Sequence, residues 1–168
     1  MLELITDCAA AILPEQGSHV LDVGCGAGNF SLRLFLKREY TALTLLDLSR
    51  PMLDRAEARL KEAGLGQTNT CQADIRDTDF PEETFDTILA AAVLHHLRGE
   101  EEWENVFKKM FSWLKPGGAV WIFDLITHDH PKVHEVLWER YRDYLRNLGG
   151  IEYIDEVFRY ISAEDSPR

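Results

Sequence analysis

The run VLDVGCGAGNF, from Val20 to Phe30, constrains the fold of this chain more than any other stretch. It reads as a buried strand that breaks into three glycines, Gly24, Gly26 and Gly28, and then enters a helix. Main chain without side chains, at a strand end before a helix N-terminus, lets a nucleotide-like ligand lie close against the backbone. A strand followed so directly by a helix also predicts a crossover unit, and hence a parallel sheet.

The rest of the chain repeats that alternation. Leu2 to Leu13 reads as an apolar helix ended by Pro14, His19 to Gly24 as strand one, Ala27 to Lys37 as a helix and Thr41 to Asp47 as strand two. Ser49 is a candidate N-cap, Pro51 falls in the first turn, and Gly64 follows the last turn of the next helix. Met52, Leu53, Ala56, Leu60 and Ala63 lie on one face of it. Asn69 to Ala73 is a weaker strand three and Phe85 to Ala91 is strand four. Trp103, Val106, Phe107, Met110, Phe111 and Leu114 repeat at helical spacing between Glu100 and Leu114. Pro116, Gly117 and Gly118 then precede strand five, Ala119 to Leu125, and a last amphipathic helix runs from Lys132 to a stop at Gly149 and Gly150. Right-handed crossovers predict an α/β, doubly wound, Rossmann-like parallel sheet of order 3-2-1-4-5, with helices on both faces. Ligands of such sheets bind at the carboxyl ends of the strands. The glycines, Asp47, Asp74 and the segment Ala90 to His96 all fall on that edge.

Composition narrows the partners. With 168 residues, one domain is expected, and a hydrophobic share of 45% is enough for a core. The net charge of −11 repels phosphate backbones and anionic membranes, which disfavours nucleic acid as substrate. No apolar run approaches the roughly 20 residues that span a bilayer. The first residues lack a basic region and a cleavage site, and Cys8, Cys25 and Cys71 form no framework. The expected location is the cytoplasm.

Charge also chooses among ligands. GxGxG departs from the dinucleotide fingerprint GxGxxG, whose last position is Asn29 here. No Walker lysine follows the glycines, which disfavours a nucleoside triphosphate. Asp22, two residues before Gly24, would repel a pyrophosphate and attract an ammonium. Asp47, 19 residues past Gly28, ends strand two, where a carboxylate accepts hydrogen bonds from ribose hydroxyls. Asp74 ends strand three, where it can accept from an exocyclic amine while Ile75 packs on the ring.

The blocks LDVGCGAGNF, LLDLS at 45–49, QADIRD at 72–77, FDTILAAAVLHHL at 85–97 and LKPGGAVWIFD at 114–124 resemble class I S-adenosylmethionine-dependent methyltransferases, in the small-molecule branch of ubiquinone/menaquinone biosynthesis enzymes. The resemblance runs from residue 1 to about 125. It implies S-adenosyl-L-methionine as cofactor, S-adenosyl-L-homocysteine as product, and a small-molecule acceptor. It places Asp22 on the methionine ammonium, directly or through water, and the backbone of Gly24, Cys25 and Gly26 on the cofactor. It gives the ribose to Asp47, the adenosine to Leu48 and Met52, the adenine amine to Asp74 and its face to Ile75. Ala90 and Ala91 supply strand-four backbone near the methionine, with His95 close by. Asn29 completes the candidate set.

The family continues past strand five into an antiparallel hairpin. Here the acidic stretch Ile151 to Arg168 shows no clear strand, and Ser166-Pro167-Arg168 resembles a helix start. The expectation is a single domain over 1–168, C-terminally truncated, without that hairpin. Strand five would then be an open sheet edge, where a homodimer contact is an option. No catalytic side chain is readable, because an activated methyl group mainly requires an oriented acceptor. His95 and His96 are read as structural or cofactor-packing residues, a general base being the alternative. His130 and His134 have metal-ligand spacing on one helix face, but His128 and Glu135 add no clear third ligand, so no metal is assigned. Trp138, Tyr141 and Tyr144 are candidates for core or for acceptor contact. The alternatives are a non-catalytic S-adenosylmethionine-binding regulatory module and, disfavoured by Asn29 and Asp22, an NAD-dependent oxidoreductase.

Overall fold

The computed structural model describes residues 2–164; the Ser166-Pro167-Arg168 end lies outside them. The chain divides into two units, one of residues up to 94 with 99–123, the other of 95–98 with 124 onward.

The first unit carries α1 (Leu2–Ile12), β1 (His19–Val23), α2 (Asn29–Lys37), β2 (Ala42–Asp47), α3 (Arg50–Glu62), β3 (Thr68–Gln72), β4 (Phe85–Ala91), α4 (Glu100–Trp113) and β5 (Leu114–Phe123). The strands form one parallel sheet of order β3-β2-β1-β4-β5, and helices cover both faces. The central strands are apolar nearly throughout because both faces are covered. On one face Val20, Leu43, Leu45 and Leu89 pack with Ala9 of α1, Leu34 of α2, and Leu53, Ala56 and Leu60 of α3. α4 buries Val106, Met110 and Trp113. The indole N–H of Trp113 donates to Asp79 at 3.0 Å, so its bulk is buried without an orphaned donor.

Two elements differ from expectation. β5 begins five residues early, at Leu114 rather than Ala119. Leu114 pairs with Phe85 and Ala119 with Thr87, so the Pro-Gly-Gly segment bulges from within the strand instead of preceding it. Helix α5 (Pro131–Glu164) continues beyond the glycines, with a break at Gly150 (φ 77, ψ −166). The stretch after Ile151, for which no element was expected, is helical, and it buries Ile154 and Ile161.

In the second unit Trp138 and Tyr141 pack on Phe158, with ring centroids 5.3 and 6.1 Å apart, across that break. Tyr144 is 58% exposed. Helix α5 starts at Pro131, so His130 lies just outside it, and its carbonyl accepts the His134 backbone N–H at 3.1 Å. Among the described residues no three His, Cys, Asp or Glu are grouped to hold a metal, and no helix is long and apolar enough to cross a membrane.

Candidate functional site

The carboxyl ends of β1 and β2 build the loop from Gly24 to Gly28. All three glycines have positive φ, and two are further required by packing. A Cβ on Gly24 would collide with the side chain of Val93, and one on Gly28 would lie 3.0 Å from Cβ of Ala56 on α3. Gly26 faces open space.

Hydrogen bonds hold the loop from within. The Cys25 N–H donates to the Leu46 carbonyl at 3.1 Å, and the Cys25 carbonyl accepts from Gly28 N–H at 2.8 Å. The Gly26 N–H donates to Asp47 Oδ2 at 2.8 Å. The backbone donors of Cys25 and Gly26 are thus partnered inside the protein, and the loop offers surface more than free N–H groups. Burial, with the charges of Asp22 and Asp47, pushes the Cys25 thiol above its usual range, which keeps it neutral.

Asp47 also accepts from the Ser49 N–H at 2.8 Å through Oδ1. Ser49 is the N-cap of α3, but its own side chain makes no cap bond; Asp47 takes over part of that role. Each carboxylate oxygen has a second lone-pair direction, so two acceptor positions remain. Beside it Leu48 is 66% exposed and Met52 43% exposed, an apolar platform next to a carboxylate.

Asp22 is 2% exposed. Its Oδ2 accepts from the Ser31 hydroxyl of α2, and the Ser31 carbonyl accepts from the Tyr40 hydroxyl at 2.9 Å. Burial pushes the Asp22 carboxyl up to about 7; Ser31 opposes this and the charge of Asp47 adds to it. Ser31 and Tyr40 carry no signal in the sequence, since their roles exist only once α2 packs on β1.

The remaining candidates are placed as follows. Asn29 opens α2, and its side-chain carbonyl accepts from Arg59 of α3 at 2.8 Å. Arg59 also donates to the Ala27 carbonyl, so it ties the glycine loop to α3. Asp74 follows β3, where the Ala73 N–H donates to the Asp47 carbonyl at 3.2 Å. Arg76 grips both oxygens of Asp74 and holds its carboxyl below the usual range. Ile75 is 8% exposed. Ala90 is fully buried between Val23 and Ile122, and Ala91 ends β4. His95 belongs to the second unit, where its ring Nδ1 and its backbone N–H both meet the carboxylate of Asp124. The first unit therefore brings together the glycine loop, Asp22, Asp47, Leu48, Met52 and Asp74 on one sheet edge, while Asn29 turns its side chain to α3.

A parallel sheet of this order, with a glycine loop after β1 and an acidic end to β2, defines a class of nucleoside-cofactor domains. The chain belongs to the family of methyltransferase domains, whose model matches residues 20–118. It is similar to a phosphatidylethanolamine N-methyltransferase of Cereibacter sphaeroides, at 37% identity over 71% of this chain and 57% of that protein. An uncharacterized methyltransferase of Mycobacterium tuberculosis is 30% identical over 76% of this chain and 59% of its own length. The solved structure of coclaurine N-methyltransferase bound to N-methylheliamine and SAH superposes with a TM-score of 0.61 at 25% identity, over 73% of this chain and 33% of that one. The chain spans less than two thirds of the length of these relatives.

Proposed function

We propose that this chain binds S-adenosylmethionine along the carboxyl edge of its sheet and that the protein transfers the methyl group, in line, to a small-molecule acceptor. The observation that carries the reading is Asp47, with two acceptor positions left at the end of β2 beside exposed Leu48 and Met52. The donor set fits the cofactor. Asp47 accepts the ribose hydroxyls, Leu48 and Met52 cover the adenosine, and Asp74 accepts the adenine amine beside Ile75. Asp22 draws the methionine ammonium toward the glycine loop, directly or through water. The backbone of Gly24 and Gly26 lies against the cofactor, and Ala91, at the end of β4 beyond the fully buried Ala90, lines its methionine end.

When bound, S-adenosylmethionine supplies an activated methyl group. The protein's part is then orientation of the acceptor, which is worth about 7–11 kcal/mol when the geometry is a near-attack one. The net charge of −11 disfavours a nucleic acid as acceptor.

Titration calorimetry with S-adenosylhomocysteine and with NADH tests the cofactor. Tight binding of the first alone is expected, and the reverse would sink the proposal. Transfer of labelled methyl from the cofactor into a metabolite extract tests the chemistry. Tight S-adenosylhomocysteine binding with no labelled product would mark a binding module instead.

A further inference from the structure

Arg76 folds back onto the carboxylate assigned above to the adenine amine. Oδ1 of Asp74 accepts the Arg76 backbone N–H at 2.8 Å and its Nε at 3.0 Å, and Oδ2 accepts Nη2 at 2.7 Å. The other arm of the guanidinium reaches Glu102 of α4 at 3.1 Å. Two turns along α4, Lys109 donates to the carbonyls of Arg76 and Thr78, each at 2.8 Å. The loop that carries Asp74 is thereby fixed to α4 from both sides of Arg76.

A carboxylate offers about four acceptor positions. Arg76 fills three of those on Asp74, and its planar fork determines where the fourth points. Resting on the assignment of Asp74 to the adenine amine, we infer that Arg76 is a positioning residue that sets base specificity: it leaves Asp74 one open acceptor position, which admits a 6-amino purine and rejects a 6-oxo purine. The 6-oxo base turns a carbonyl oxygen toward that carboxylate, so two acceptors meet with no proton between them. Lysine cannot substitute fully, because an ammonium holds charge at the site without fixing the plane of the carboxylate.

The test compares S-adenosyl-L-homocysteine with S-inosyl-L-homocysteine by calorimetry on the wild-type chain, R76Q and R76K. The wild type should prefer the adenosyl compound by roughly 100-fold, modest for a site that hydrogen-bonds its ligand's N–H. R76Q should lose most of that preference, and R76K should fall between the two. Thermal melting reports whether each variant is folded. If R76Q does not fold, R76K decides, and a wild-type preference in whichever variant is folded overturns the inference. Wild-type chain that binds the adenosyl compound without preferring it also overturns the role of Arg76 and leaves the cofactor reading intact. Wild-type chain that binds neither compound overturns both.

Discussion

The two ends of the sheet hold their carboxylates in different company. At the amino end, Oδ2 of Asp86 accepts the His19 backbone N–H at 2.8 Å and the Lys115 ammonium at 2.7 Å. Beside it His19 meets Thr44 Oγ1 at 3.0 Å, and its ring packs edge-on against Phe85. That charge is balanced, and it serves to join β1, β4 and the bulge of β5. At the carboxyl end, Asp47 is held by two backbone N–H groups and Asp22 by one hydroxyl. Neither has a cationic side chain as partner among the described residues; Asp74, on the same edge, does, since Arg76 holds it and leaves one acceptor position open. A carboxylate matched by a cation is neutralised by the fold. One held only by uncharged donors has no cation to match it: Asp47 keeps open acceptor positions for a ligand, whereas burial pushes the Asp22 carboxyl up to about 7 and makes its charge depend on pH.

The largest expected effect breaks the loop and the ligand contact together. Asp47→Ala should weaken S-adenosylhomocysteine binding by about 3 kcal/mol, more than 100-fold, through the loss of charge-assisted bonds. An affinity within a factor of three of wild type, read by calorimetry, would show that the acidic end of β2 does not bind the nucleoside.

Next comes pH. With the Asp22 carboxyl at about 7, its ionised form, which attracts an ammonium, falls roughly tenfold per pH unit below that value. Affinity for S-adenosylmethionine should fall on acidification through this range, and Asp22→Asn should flatten the profile. The stability effect has the opposite sign. The folded-state value is raised above the unfolded one of about 3.9. The Asp22 contribution is therefore fully present below pH 4 and lost as pH rises through 7, with a slope of about 1.4 kcal/mol per unit. Urea denaturation across that window, compared between wild type and Asp22→Asn, isolates the slope.

A smaller change probes the packing beneath the loop. Gly28→Ala should cost about 1–2 kcal/mol of stability from its left-handed backbone, apart from the contact with Ala56. Adding Ala56→Gly should relieve the contact and leave the backbone cost, a difference that denaturant melts resolve. The smallest effect on ligand binding belongs to the amino end. Asp86→Asn should leave S-adenosylhomocysteine affinity unchanged while it costs about 1–2 kcal/mol of stability. Equal losses of affinity from Asp47→Ala and Asp86→Asn would erase the distinction between the two ends.

Much of this was legible in the residues alone. Apolar runs of five to seven residues mark β1, β2 and β4 as strands buried on both faces, and crossover handedness favours the order of β1 to β5. The placement of Asp22, Asp47 and Asp74 on one edge follows from where each strand stops. What escaped the sequence lies in bonds between distant segments. Arg59 reaches Asn29 across 30 positions, and the ring of His95 reaches Asp124 across 29. The extended start of β5 escaped for a related reason: Pro116 and Gly117 signal a break locally, yet Leu114 still finds Phe85 on the neighbouring strand. The helix beyond Gly150 was masked by its acidic composition, although Ile154 and Ile161 keep a helical spacing of seven.

The sequence by itself determined the sheet, the glycine loop and the carboxylates at its edge, because strand burial, turn chemistry and chain direction are local properties with a fixed geometric consequence. Only the tertiary structure decided what those carboxylates do. Whether Asp47 clamps the loop, whether Asp22 is ionised near neutral pH, and how many acceptor positions Arg76 leaves on Asp74 depend on which donors and how much water surround each oxygen. Those surroundings are assembled from strands and helices far apart in the chain.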